Sequence, residues 1–253
     1  MRTTPPGSAV GLVSVFALLS LVSAAVGLGW AGWAVGLTGA GALSTLLARG
    51  LRLSDRSTLG PAGRVTLVRA VLACTVAALA ADAAGGLAPV PSPPLPGLRV
   101  LVALATLALL LDSLDGRIAR RTGTVSAFGA QFDMEVDAFL ILVLSLHVGH
   151  AMGWWVAGVG LGRYVLLAAQ RLGPWLRRTL PASRWRKVVA AYQGIALTTA
   201  TAQVLAPELA KDVLLAGMAA LAASFGTEVW SLWRLRRTPA GDRVRSGIGM
   251  VIE

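Results

Sequence analysis

Long apolar runs separated by short polar joints extend through almost the whole of this sequence. Each run is about 20 residues long, the length a helix needs to cross the hydrocarbon core of a bilayer. Two runs lie within residues 9–48, and six more follow at about 65–84, 98–121, 127–150, 154–170, 188–205 and 210–233. The pattern predicts an all-α, polytopic transmembrane helix bundle of about eight spans.

Arginine residues cluster at some of these joints and predict the orientation of the chain. Basic clusters occur at 49–64, 171–187 and 234–237, whereas the joint at 85–97 is rich in proline and glycine. Cytoplasmic loops carry an excess of Lys and Arg, so the basic joints are expected inside. The first two runs then form a hairpin that turns at residues 27–32, with Trp30 and Trp33 as interfacial anchors.

Composition narrows the class further. Hydrophobic residues make up 55% of the chain and charged residues 14%, with a mean hydropathy of +0.70, which is far from the balance of a soluble domain. The net charge of +11 suggests nucleic acid binding, but the arginines lie at joints and form no basic stripe, so no nucleic acid partner is expected. Anionic lipid suits this charge better. The lone Cys74 excludes a disulfide framework.

Four aspartates stand out within the stretch 112–137. Asp112 and Asp115 are three residues apart, and Asp133 and Asp137 are four apart, so each pair shares a helix face. Two facing helices would bring them into one four-carboxylate pocket. An aspartate at the centre of a membrane helix costs roughly 2.5 to 3.5 kcal/mol, so the group needs pairing, water or a metal. Solvation at helix ends is the simpler alternative, although acidic residues inside a membrane are functional by default.

The spacing of the motif resembles a family signature. The stretch reads DxxDGxxAR, then eight residues, then GxxxDxxxD, with every fixed position occupied. This is similar in full to the signature of the CDP-alcohol phosphotransferase family. The resemblance implies a six-helix core, to which the first two spans add an N-terminal hairpin. It divides the chain into a hairpin at 1–50, a membrane domain at 51–237 and a C-terminal tail at 238–253.

The same resemblance assigns roles to the motif. It implies transfer of a phosphatidyl group from CDP-diacylglycerol to a hydroxyl acceptor, with release of CMP, in phospholipid biosynthesis. Two divalent cations, Mg²⁺ or Mn²⁺, would clamp the attacking and leaving oxygens. The implied metal ligands are Asp112, Asp115, Asp133 and Asp137, with Asp137 also a candidate general base, and the implied CDP-binding residues are Gly116, Ala119, Arg120 and Gly129.

The acceptor is less well defined by the sequence. Basic residues on other helices are candidates for it: Arg163, which as an arginine inside a span should face a cavity or water, Lys187, and Arg69, for which snorkelling to the interface is an equal alternative. Glycerol 3-phosphate is the leading acceptor, although Tyr164 and Val189 depart from the pattern of that branch. Inositol phosphate, serine and phosphatidylglycerol stay open, as does a soluble CDP-alcohol donating to diacylglycerol.

A non-enzymatic, cation-handling membrane protein is the alternative of a different class. An arginine beside the carboxylates argues against a cation path, as does the absence of acidic residues spread across the membrane depth. The expected partners are a CDP-linked lipid, the bilayer and, by resemblance, a second copy in a homodimer. The expected location is a prokaryotic plasma membrane, multi-pass, with the site facing the cytoplasm.

Overall fold

The computed structural model describes residues 6–53, 60–85, 96–122, 127–172 and 184–237. Within these ranges the chain forms eight α-helices and one 3-10 turn, and no strand. The helices are α1 (Pro6–Val26), α2 (Trp30–Leu53), α3 (Pro61–Gly85), α4 (Pro96–Thr122), α5 (Ala127–Met152), α6 (Ala157–Leu172), α7 (Arg184–Ala202) and α8 (Pro207–Arg237). The prediction of an all-α bundle is therefore confirmed, and the predicted tail at 238–253 lies outside the described residues.

Individual residues such as glycine and proline determine where the helices begin and end, so the observed helix ends differ from the ends of the apolar runs. The first hairpin turns at Gly27, whose φ of +75° is accessible to glycine at little cost, and α2 already begins at Trp30, so the predicted turn was three residues too long. Pro207 opens α8, where its missing N–H is not needed. The two tryptophans at 154 and 155 form a 3-10 turn ahead of α6 instead of opening it.

Helix α3 lies at the centre of the bundle and packs against α1, α2, α4 and α5. All residues from 70 to 80 are buried. Along this stretch α3 is apolar on nearly all sides, as a helix enclosed by others should be. It can therefore pack against several helices at once. Helix α7 packs against α4, α5 and α8, and α6 packs against α5 and α8, which completes the fold around the aspartate-bearing pair.

The N-terminal hairpin is joined tightly to α3. A methyl group at Gly36 would come within 3.2 Å of the Ala78 side chain, so the two helices approach closely there. At the far end of α3, the Asp82 carboxylate accepts a hydrogen bond of 2.8 Å from the Gly29 N–H, just before α2 begins. The hairpin and the rest of the bundle thus share one hydrophobic core.

Four of the helices described, α1, α2, α3 and α8, are long and apolar enough to cross a membrane by themselves. Helices α4 and α5 carry the polar motif, which lowers their hydropathy over part of their length. The apolar helices and the bundle architecture are those of a multi-pass membrane protein.

Candidate metal and nucleotide site

Three of the four aspartates converge between α4 and α5. One carboxylate oxygen from each of Asp112, Asp133 and Asp137 lies within 4.8 Å of the others. The two residues on α5 are one helical turn apart and therefore point the same way. Their side chains are 45%, 33% and 38% exposed, respectively, so the cluster is open to water on one side.

Arg69 of α3 lies at the centre of this cluster. Its side chain is 1% exposed, and its Nη2 is 3.0 Å from Oδ1 of Asp112. The guanidinium also donates to the carboxylates of Asp133 and Asp137, while its Nε donates to the Ala108 carbonyl at 3.2 Å. Snorkelling to the interface is therefore the wrong interpretation of Arg69. It is a buried cation that links α3 to α4 and α5.

The charges of this set favour a further cation. One guanidinium against three carboxylates leaves two negative charges, and partial burial strengthens their mutual repulsion compared with water. Carboxylate oxygens are the ligands that hard divalent cations such as Mg²⁺ and Mn²⁺ prefer. The donor set therefore fits a divalent metal, and a cluster of Asp112, Asp133 and Asp137 could bind one.

For the remaining motif residues, the structure describes their positions along α4 and α5. Asp115, Gly116, Ala119 and Arg120 lie in the last part of α4, but their side chains are outside the residues that the structure describes. Gly129 lies in the first turn of α5, four residues before Asp133 and hence on the same helix face. The predicted nucleotide-binding positions thus occupy the two helix ends that flank the short joint after α4.

Arg163 of α6 is not part of the aspartate cluster. Its Nη2 is 2.6 Å from Oε1 of Glu135, and its Nη1 lies 2.8 Å from Sδ of Met134. Glu135 is two residues from both Asp133 and Asp137, which puts it on the opposite side of α5. Arg163 Nε is buried and has no hydrogen-bond partner among the described residues.

Glu135 is the residue that the motif analysis missed. An arginine within a membrane span calls for a counter-charge, and Glu135, at a variable position of the signature, is the acidic residue nearest to Arg163 in sequence apart from the signature aspartates. Lys187, the other predicted acceptor residue, lies on the first turn of α7 and is exposed. The structure therefore brings Arg69 to the carboxylates, and it leaves Arg163 and Lys187 on the surrounding helices.

The sequence also matches the profile of a known protein family. The sequence profile of the CDP-alcohol phosphatidyltransferase family matches residues 62–230, about two thirds of the chain. The match begins in α3 and ends in α8, so it includes Arg69 and both aspartate pairs. Such coverage identifies an enzyme that transfers a phospholipid head group from a CDP-alcohol, not a cation-handling protein. The chain therefore belongs to the CDP-alcohol phosphatidyltransferase family of membrane phosphotransferases.

Proposed function

We propose that this enzyme transfers the phosphatidyl group of CDP-diacylglycerol to the hydroxyl group of a small acceptor, with release of CMP, and that it requires Mg²⁺ or Mn²⁺. The observation that carries the proposal is the convergence of Asp112, Asp133 and Asp137 from two helices of a family member. Carboxylates held this close repel one another unless cations neutralise them, and a diphosphate substrate arrives with its own negative charge.

The four motif aspartates are the proposed ligands of two divalent cations. Asp112, Asp133 and Asp137 are already within reach of one another, and Asp115 lies one helical turn beyond Asp112 on α4. Bound divalent cations would neutralise the diphosphate and stabilise the charge that develops on the leaving CMP. The proposed CDP-binding residues are Gly116, Ala119, Arg120 and Gly129.

Asp137 is the proposed general base. Its carboxylate is 38% exposed, so an acceptor hydroxyl can approach it from water. Its bond to Arg69 holds one of its oxygens in a fixed direction. Transfer is proposed to be direct, because the stretch 112–137 contains no histidine or cysteine that could act as a covalent nucleophile.

Glycerol 3-phosphate is the proposed acceptor, and Arg163 and Lys187 are proposed to bind its phosphate. The positive charge of Arg163, whose side chain is 24% exposed, supports this role for α6. For Lys187, the packing of Leu109 against Gly194 fixes the depth of α7 beside α4. Consecutive spans alternate in direction, so Lys187 lies about 10 Å from that level, toward the end of α4 that carries the motif.

Arg69 does not fit the role of an acceptor ligand. Its guanidinium is 1% exposed and already contacts three carboxylates and a backbone carbonyl. We assign it to the carboxylates instead. Inositol phosphate, serine, phosphatidylglycerol and the reverse arrangement, a soluble CDP-alcohol with diacylglycerol, are the competing substrates in the assay below.

The wider setting of the reaction is proposed from the family and the charge pattern. The hairpin at 1–50, the catalytic domain at 51–237 and the tail at 238–253 are the proposed divisions. The bundle is proposed to lie in a prokaryotic plasma membrane with its site facing the cytoplasm, because the basic joints flank the motif ends of α4 and α5. A homodimer is the proposed assembly.

The test is release of CMP by the purified protein in detergent with CDP-diacylglycerol, Mg²⁺ or Mn²⁺ and a panel of acceptors. We expect release that depends on glycerol 3-phosphate and falls at least about 10²-fold in Asp137→Asn, the lower bound expected for loss of a general base. Lys187→Gln should raise the KM for the acceptor while leaving kcat nearly unchanged, because it would remove binding energy that is the same in the ground state and in the transition state.

Asp82→Asn is the matched control for the aspartate variant. Asp82 lies about 20 Å along α3 from Arg69, and an asparagine oxygen can still accept the bond from Gly29. Full activity in both Asp137→Asn and Asp82→Asn would exclude the proposed role of Asp137. CMP release that depends on another acceptor would support CDP-diacylglycerol as the donor and would reject glycerol 3-phosphate as the acceptor.

A further inference from the structure

The N-terminal hairpin touches two of the three helices that carry charged groups of the site. Helices α1 and α2 lie outside the matched residues 62–230. Helix α2 nevertheless packs along α3, which bears Arg69, and also against α5, which bears Asp133 and Asp137. The distance between α3 and α5 determines whether Arg69 can reach these two carboxylates. An element that packs on both helices can therefore set that distance.

The contact between α2 and α5 is made at Gly50. This glycine is buried near the end of α2, and a methyl group added to it would overlap the ring of Phe128. Phe128 is the second residue of α5. The ring thus occupies the space that any larger residue at position 50 would need, and the end of α2 approaches α5 closely because residue 50 has no side chain.

Phe128 connects the contact at Gly50 with the part of α5 that carries the carboxylates. Its ring stacks on that of Phe132 with centroids 6.0 Å apart and planes 20° from parallel. Phe132 is 4% exposed and directly precedes Asp133. Since cores are close-packed, a displaced Phe128 shifts Phe132 and the helical turn that carries Asp133.

We propose that the hairpin is a positioning element of the site, and that Gly50 and Phe128 are its positioning residues. The packing of α2 against Phe128 fixes the first three turns of α5, and with them the direction of Asp133 and Asp137 toward Arg69. This inference rests on the proposed metal site, because the carboxylates matter to the rate only if they hold the cations. Neither residue contacts substrate, so both act through α5.

Gly50→Ala in the full chain tests the inference, with Gly41→Ala as the matched control. Gly41 lies on the same helix, and none of the described residues comes within 4 Å of a methyl group added there. We expect Gly50→Ala to lower the CMP-release rate and to raise the Mn²⁺ concentration for half-maximal rate, each by roughly 10- to 100-fold, as changes behind metal ligands do. Gly41→Ala should match the wild type in both quantities.

A second substitution separates positioning from simple loss of fold. Phe128→Leu removes the ring that the new methyl group would strike, so the double variant with Gly50→Ala should recover most of the rate and the cation requirement. Phe128→Ala, which withdraws the support from the α5 side, should show the same raised cation requirement as Gly50→Ala. If Gly50→Ala does not fold, the cation requirement of Phe128→Ala tests the proposal by itself, and an unchanged requirement would reject it.

The outcomes distinguish this inference from the proposed site. Wild-type activity in Asp133→Asn would reject the carboxylate site, and the hairpin inference with it. An inactive Asp133→Asn together with a Gly50→Ala that behaves as Gly41→Ala does, in rate and in cation requirement, would reject the role of the hairpin alone. A lowered rate with an unchanged cation requirement and no recovery in the double variant would also reject it.

Discussion

Arg69 and its carboxylates are stable only as a set. A guanidinium at 1% exposure has lost nearly all its hydration, and the three acidic groups around it provide what water no longer does. Each carboxylate in turn depends on Arg69, since like charges at this separation disfavour one another. The arginine therefore keeps the cluster assembled when no metal is bound, and leaves it negative enough to attract one.

This interdependence predicts the behaviour of Arg69→Met. Methionine fills part of the space but leaves three carboxylates uncompensated, which should cost about 3 kcal/mol of unfolding free energy, the lower end for a broken buried pair because the acids are partly exposed. Thermal unfolding in detergent, with and without Mg²⁺, measures it. Mg²⁺ should raise the Tm of Arg69→Met more than that of the wild type.

Arg99→Met is the control for this comparison, since Arg99 is an exposed arginine in the first turn of α4. Equal responses to Mg²⁺ in the wild type and Arg69→Met would contradict the argument. The spacing of the aspartates was sufficient to predict that Asp112, Asp133 and Asp137 lie close together. The partners of Arg69 were not predictable, because a sequence separation of 64 positions from Asp133 says nothing about distance in space.

The backbones of α5 and α6 approach each other closely, because the residue of α6 at the contact is a glycine. The glycine at 160 faces the backbone of α5, where an added Cβ would lie 2.5 Å from Cα of Leu142. Farther along, the Glu135–Arg163 ion pair links the same two helices at 2.6 Å. The close backbone approach at Gly160 and the ion pair at Arg163, about one turn farther along α6, together fix the rotation of α6 about its axis.

Gly160→Ala should weaken this interface. The new methyl group meets backbone, which cannot turn aside as a side chain can, so we expect a loss of about 1 to 3 kcal/mol, as overpacking usually costs. The Tm in detergent is the measurement. Gly226→Ala on α8 should cause no loss, because no atom in the described part of the chain lies within 4 Å of the added methyl group. A Tm as high in Gly160→Ala as in Gly226→Ala would show that α6 can move away without cost.

The extent of the elements was only partly predictable. Apolar runs located all eight helices described, because burial in lipid or protein leaves long uncharged stretches. Their polar ends were missed: α7 begins at Arg184, four residues before the predicted span, and α8 continues to Arg237. Backbone hydrogen bonding continues a helix into the polar joint, whereas hydropathy reports the apolar portion alone.

In the whole molecule, the central position of α3 could not be predicted from the sequence. Its apolar run looks like those of α1 and α2, yet 72% of its span is buried against protein, compared with 22% and 33% of theirs. Lipid and protein are similarly apolar, so hydropathy does not distinguish them. The burial of α3 explains why a charged residue on it, Arg69, has to find its partners inside the bundle.

The alternation of the spans predicts which ends of the bundle share a side of the membrane. Trp154 lies between α5 and α6 and is 67% exposed, whereas Lys187 is exposed at the start of α7, with α6 between them. The basic joint before α7 is expected inside. A cysteine at 187 should therefore face the cytoplasm, as should the carboxylate cluster, and a cysteine at 154 should face outward.

Single-cysteine variants in a Cys74→Ala background test this orientation in intact cells. Cys74 is 3% exposed, so its removal changes little on the surface. A membrane-impermeant maleimide should label Trp154→Cys directly, and Lys187→Cys only after the membrane is permeabilised. Labelling of both positions from outside would mean that α6 does not cross the bilayer, and the reverse pattern would put the site on the outer face. A cytoplasmic nucleotide-linked donor could not reach a site there, so the labelling also tests whether the proposed reaction can take place in the cell.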